Sequence, residues 1–135
     1  MKPREVNYGS LWAKAVDDQE DAVRKITDTK EPWESRACRM GFGIYKVRCF
    51  CERLARKYFS PWYQPTDVEA GRLYLINKHH WTPEMVKGVD ILRLMMLLHV
   101  ELAEMRLTPE EWAPVHDWTS HMDCHECLAE SAPLP

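Results

Sequence analysis

Glycine-rich loops and long apolar runs are both missing from this chain. Its 135 residues include five glycines, and nowhere do they form G-x-x-x-x-G-K-[ST] or G-x-G-x-x-G. H-E-x-x-H, G-x-S-x-G and the protein-kinase set are also absent. These absences exclude a P-loop, a Rossmann fingerprint, a zincin helix and a nucleophile elbow as sources of chemistry. The longest apolar stretch, 91–100, is interrupted by Arg93 and His99 and falls short of the roughly 18 residues a membrane helix needs. No membrane partner is expected. The first residues are polar, so no secretory signal is expected, and the location expected is cytoplasmic. Nor does one sign of charge dominate: 18 Lys+Arg stand against 21 Asp+Glu, and the sequence pI is about 6.1.

An apolar fraction of 45% and a length of 135 residues suit a chain that buries one core. The charges are unevenly placed. Residues 1–60 carry 13 Lys+Arg against 9 Asp+Glu, whereas 61–135 carry 5 against 12. A basic front half and an acidic back half can each meet a charged partner, or pair with one another. Five cysteines without a signal segment read as reduced thiols rather than a disulfide framework.

Periodicity predicts helices throughout. An amphipathic helix is expected over 10–30, capped by Ser10, with Glu31-Pro32 ending it. Trp33, Ala37, Met40, Ile44, Val47, Cys51, Leu54 and Tyr58 recur at steps of four and three, predicting a second helix over 33–58. Gly41 and Gly43 mark a break or a close helix contact within it. Residues 60–65, Ser-Pro-Trp-Tyr-Gln-Pro, read as a rigid aromatic loop. Thr66 and Glu69 open a short helix to about residue 77, with a strand over 72–76 as the alternative. Thr82-Pro83-Glu84 starts a helix expected to run to about Leu107 and, being apolar on nearly every face, to be the central buried one. Thr108-Pro109 repeats the start signal, Pro114 interrupts it, and a last helix is expected from there to Glu130. The fold expected is mainly α: a compact bundle of about five helices with at most one short strand. It forms a single domain over 1–130, with 131–135 a frayed tail.

The densest group of ligand-type residues is His116-x4-His121-x-x-Cys124-His125-x-Cys127. Imidazole and thiolate are what zinc prefers, and Cys49-x-Cys51 could supply a second pair. The expected metal ligands are therefore His121, Cys124, Cys127, Cys49 and Cys51, holding a structural zinc. His99-Val100-Glu101 followed by Cys124-His125-Glu126-Cys127 also resembles the signature of the zinc-dependent cytidine deaminases. That resemblance implies His99, Cys124 and Cys127 as ligands and Glu101 as the proton shuttle for a metal-bound hydroxide. Leu97 to Glu104 resembles the first acidic helix of the all-α nucleoside triphosphate pyrophosphatases, which implies magnesium held by Glu101 and Glu104. Both sets are incomplete: Asp123 stands where the first signature has proline, and no E-x-x-D follows for the second.

The sequence therefore reads as a non-enzyme that binds a macromolecule. Between 36 and 57, seven Arg and Lys face only Glu52, and Arg39, Lys46 and Arg53 repeat every seven residues. Tyr58, Phe59, Trp62 and Tyr63 follow at once. Cations with aromatic faces suit single-stranded nucleic acid, which is the alternative partner. The acidic balance of the whole chain favours a protein partner. The expected partner-binding residues are Arg39, Lys46, Arg53, Trp62 and Tyr63, acting by steric and electrostatic occlusion to regulate or inhibit the partner.

Overall fold

The computed structural model describes residues 2–24 and 33–135. Of the described residues 72% are helical, so the fold is mainly α, with no strand among them. There are eight described α-helices, more than the five expected, because two expected helices divide. The described residues sort into two compact units, one from Met1–Val6 with Val47–Ala103, the other from Asn7–Lys46 with Glu104–Pro135. The long helix α2 (Trp33–Tyr58) gives residues to both.

In the Asn7–Lys46/Glu104–Pro135 unit, α1 runs from Tyr8 to Arg24. Asn7 caps it rather than Ser10: its Oδ1 accepts the Ser10 N–H at 3.0 Å, and its carbonyl accepts the Leu11 N–H at 3.1 Å. The expected stop at Glu31-Pro32 lies outside the described residues. Trp12 is fully buried, edge-on to Phe42, Tyr45 and Trp118 at centroid distances of 6.3, 5.4 and 6.2 Å. Gly41 brings α2 against α1, since a Cβ there would lie 2.8 Å from the Ala15 carbonyl oxygen. The glycine is a close approach, and α2 passes through it unbroken.

Helix α7 (Pro109–Thr119) starts on a reciprocal capping box. Thr108 Oγ1 accepts the Glu111 N–H at 3.2 Å, and Glu111 Oε1 accepts the Thr108 N–H at 2.8 Å. Pro114 lies inside this helix and does not end it. Glu111, Val115 and Thr119, spaced by four, form a buried stripe that holds the helix through the proline. The last helix is correspondingly short, α8 (His125–Leu128), followed by a 3-10 turn (Ala129–Ser131). Fraying does not begin at Ser131: its carbonyl accepts the Leu107 N–H at 2.8 Å, and the Ala132 carbonyl accepts from Arg106 at 3.1 Å.

In the other unit, α3 (Asp67–His79) replaces the alternative strand. Thr66 Oγ1 accepts the Glu69 N–H at 3.3 Å, and His80 closes the helix in the left-handed region at φ 56°. Phe50 meets Tyr74 edge-on at 5.5 Å beside buried Leu54, Ala55 and Ala70. At Gly71 a Cβ would stand 2.9 Å from Leu94 and 3.0 Å from the Cys51 sulfur, so α3 touches both neighbouring segments there.

The helix expected over 82–107 is not one helix. It divides into α4 (Pro83–Val86), α5 (Ile91–Leu97) and α6 (His99–Glu104). A turn at Lys87 and Gly88 parts α4 from α5, and Asp90 caps α5, its Oδ1 accepting the Arg93 N–H at 2.9 Å. Between α5 and α6 only Leu98 departs from helical geometry, and its N–H still reaches the Leu94 carbonyl at 2.8 Å.

Candidate functional site

Alternate faces of α5 and α6 behave differently. Leu94, Leu98 and Leu102 are buried, at 0%, 0% and 6% exposure. Leu92, Met96 and Val100 lie on the opposite side of the same turns and are 54%, 70% and 63% exposed. A helix residue two positions on is turned by about 200°, so the two stripes back onto one another. The expectation that this segment is buried all round is thus corrected: one stripe packs and the other is bare. Exposed large aliphatic side chains in sequence are a marker of interaction surface.

The second feature is the aromatic turn at 60–63. The Ser60 N–H donates to the Tyr63 carbonyl at 2.9 Å, and the Tyr63 N–H donates to the Ser60 carbonyl at 3.2 Å. Pro61 and Trp62 form the tip, where proline presets the backbone torsion the turn requires. Trp62 stands 87% exposed on this braced turn. Tyr63 is half-buried; partial burial and then the Glu69 carboxylate push its phenol pKa up. Behind it, Arg72, Leu73, Ile76, Pro83 and Val86 line a groove of about 340 Å³. The Arg72 side chain is tied down there, its Nε donating to the Val89 carbonyl at 2.8 Å.

No family model, curated protein or solved structure matches this chain.

The expected basic column does not share one environment. Arg39 is exposed and Arg53 half-buried, whereas Lys46 is 7% exposed and its ammonium donates to Ser131 Oγ at 2.8 Å. A seven-residue step drifts about 20° per heptad on a straight helix, so such a column winds off its starting face.

The expected zinc ligands are divided. Cys49 and Cys51 are buried in the Val47–Ala103 segment, and His121, Cys124 and Cys127 belong to the other unit. Of the latter three, Cys124 is buried while Cys127 and His121 are exposed. Among the described residues no group of three or more His, Cys, Asp or Glu could hold a metal ion. Burial pushes the Cys51 thiol up to about 12, with Asp67 adding to the effect. Cys38, absent from the expected set, is a free thiol that donates to the Met122 sulfur at 4.0 Å; burial first and then neighbouring Cys124 raise its pKa to about 12. Of the residues implied by the two enzyme resemblances, His99 and Glu104 are exposed and Glu101 is ion-paired with Lys78.

Two histidines of the ligand-type cluster, His116 and His125, pack with Trp112 instead, a contact the sequence did not signal. Trp112, His116 and His125 place their ring centroids 5.4 to 6.3 Å apart. The buried Thr119 hydroxyl donates its one proton to the Val115 carbonyl at 2.7 Å. Toward His125 Nδ1, at 3.1 Å, it can therefore only accept, which places the proton on Nδ1 and leaves Nε2 as the acceptor in the neutral ring. The spacing of nine between His116 and His125 gives no helical signal, because a turn separates α7 from α8.

Proposed function

We propose that this chain is a non-catalytic interaction protein that docks on a protein partner through its Val47–Ala103 segment. It regulates or inhibits that partner by covering part of its surface. The observation that carries this reading is the bare stripe of Leu92, Met96 and Val100. Fully burying one such side chain is worth about 1.5–3 kcal/mol, so three that are more than half exposed hold roughly 3–5 kcal/mol in reserve for association. That reserve favours a protein over a nucleic acid, whose phosphates call for cations rather than aliphatic surface. Trp62 adds a rigid ring that buries large area at small entropic cost, the property of interface anchors.

The test is retention of a stoichiometric partner on the immobilised chain in high salt, repeated with Met96→Lys and Trp62→Ala. Both positions are exposed, so circular dichroism should not change. Partner retention should fall by at least about tenfold in each variant, the equivalent of 1.4 kcal/mol. Retention unaffected by either substitution refutes the assignment. So does a chain whose tight binding is confined to oligonucleotides and is lost with salt.

A further inference from the structure

A separate cavity of about 250 Å³ lies where the N-terminal segment crosses the last turns of α2. Its walls are of two kinds. Ala55 and Pro65 are buried and Phe59 is half-buried, so part of the lining is apolar and includes one aromatic ring. The lining also includes the exposed cations Lys2, Arg4 and Arg56. One carboxylate lies among them: Glu52, 6% exposed, ion-paired with Arg4. That pair neutralises the buried carboxylate and fixes Arg4 in the wall. Lys2 and Arg56 have no ion pair or hydrogen bond among the described residues.

Two like charges facing one small cavity without a counter-ion repel, and an anion between them removes the repulsion. Basic residues in the last turn of α2 complement the helix dipole, which accounts for Arg56 and Lys57. The dipole does not account for Lys2 and Arg4, which come to the same cavity from a different segment. We infer that this cavity is a binding site for a small anion carried on a flat apolar body, the chemistry shared by aryl phosphates and aryl carboxylates. Drug-sized ligands occupy pockets of roughly 300–1,000 Å³, so this one fits a single ring with its acid group. The acid group lies between Lys2 and Arg56, with the ring against Phe59. This site is independent of the proposed protein-binding stripe, because none of its lining residues belongs to α5 or α6.

Phenyl phosphate is the probe, titrated at low salt and followed by calorimetry and by backbone amide shifts. Saturable binding with a Kd below about 1 mM is expected. Inorganic phosphate should bind at least about tenfold more weakly because it lacks the ring, and phenol should not bind. Arg56→Ala and Lys2→Ala should each weaken phenyl phosphate about tenfold or more, as loss of a charge-assisted bond does. Phe59→Leu keeps an apolar wall and should erase the preference for phenyl phosphate over inorganic phosphate. Benzoate separates the two acids: whichever of it and phenyl phosphate binds more tightly names the natural acid group. The inference is overturned if phenyl phosphate shows no saturation up to about 10 mM. It is equally overturned if Arg56→Ala and Lys2→Ala bind as the parent does.

Discussion

Gly41→Ala offers the sharpest test of the packing between α1 and α2. In the interior of a helix, alanine is preferred to glycine by about 1 kcal/mol, so propensity alone predicts stabilisation. The structure predicts the opposite sign. The added Cβ would stand 2.8 Å from the Ala15 carbonyl oxygen, 3.1 Å from its carbon and 3.2 Å from Val16 Cα. All three are backbone atoms of α1, which is anchored by fully buried Trp12 and Val16 and has no rotamer with which to yield. Overpacking a well-filled site costs about 1–3 kcal/mol, and an obstacle made of backbone belongs at the upper end. Subtracting the propensity gain leaves a net loss of about 2 kcal/mol, a fall in Tm of roughly 5–8 °C for a chain of this size. Gly9→Ala is the control: it is exposed in the first turn of α1, and its Cβ would meet only Asn7 Oδ1, at 3.4 Å. That substitution should stabilise by up to about 1 kcal/mol. Urea unfolding followed by circular dichroism and tryptophan fluorescence measures both. A Gly41→Ala protein at least as stable as the parent would refute the helix contact described.

The thiols make a second prediction. Cys127 should react with a disulfide reagent at once, while buried Cys38, Cys49, Cys51 and Cys124 wait for unfolding; more than one fast equivalent contradicts the burial. Cys38 and Cys51 sit near 12 in the folded chain against an ordinary value of 9.0. Below pH 9 both states keep these protons and stability has no slope from them. From 9 to 12 the unfolded chain ionises first, so stability falls with rising pH, by roughly 2–3 kcal/mol per thiol at pH 11. The Cys38→Ala and Cys51→Ala double variant should show a flatter alkaline decline, and an identical one would sink the argument. Thr119→Val should cost about 1–2 kcal/mol and release the His125 tautomer; nitrogen NMR of the ring should show Nδ1–H in the parent and a mixture in the variant.

What was legible in the sequence is mostly what is decided locally. Thr66, Thr82 and Thr108 each cap a helix where the sequence places one, because a threonine oxygen satisfies an amide two or three residues ahead whatever the rest of the chain does. The α2 stripe was legible for a similar reason, since its bounds follow from spacing alone. Pro114 was misread because its penalty is local while its compensation is not. A proline in a helix interior costs about 3 kcal/mol, and what offsets it is the burial of Glu111, Val115 and Thr119 as α7 packs, in part against α1. Lys46 shows the same limit: nothing in a basic run says which lysine will meet a serine 85 residues on.

The misreading of α5 is more informative than any of these. Hydrophobicity on every face of a helix has two physical solutions, burial within its own chain or burial against another. A sequence shows only the demand for burial, never who supplies it. Here the Leu94, Leu98, Leu102 stripe is supplied from within and the Leu92, Met96, Val100 stripe is not. Had the second stripe no use, substituting polar residues there would remove exposed apolar surface at no cost to the packed face. Met96→Lys therefore separates the two explanations by stability as well as by binding. If the bare stripe serves a partner, the isolated variant should unfold within about 0.5 kcal/mol of the parent while losing that partner. If Met96 instead packs within the folded chain, its loss should cost about 2 kcal/mol or more, and the surface described here would not exist.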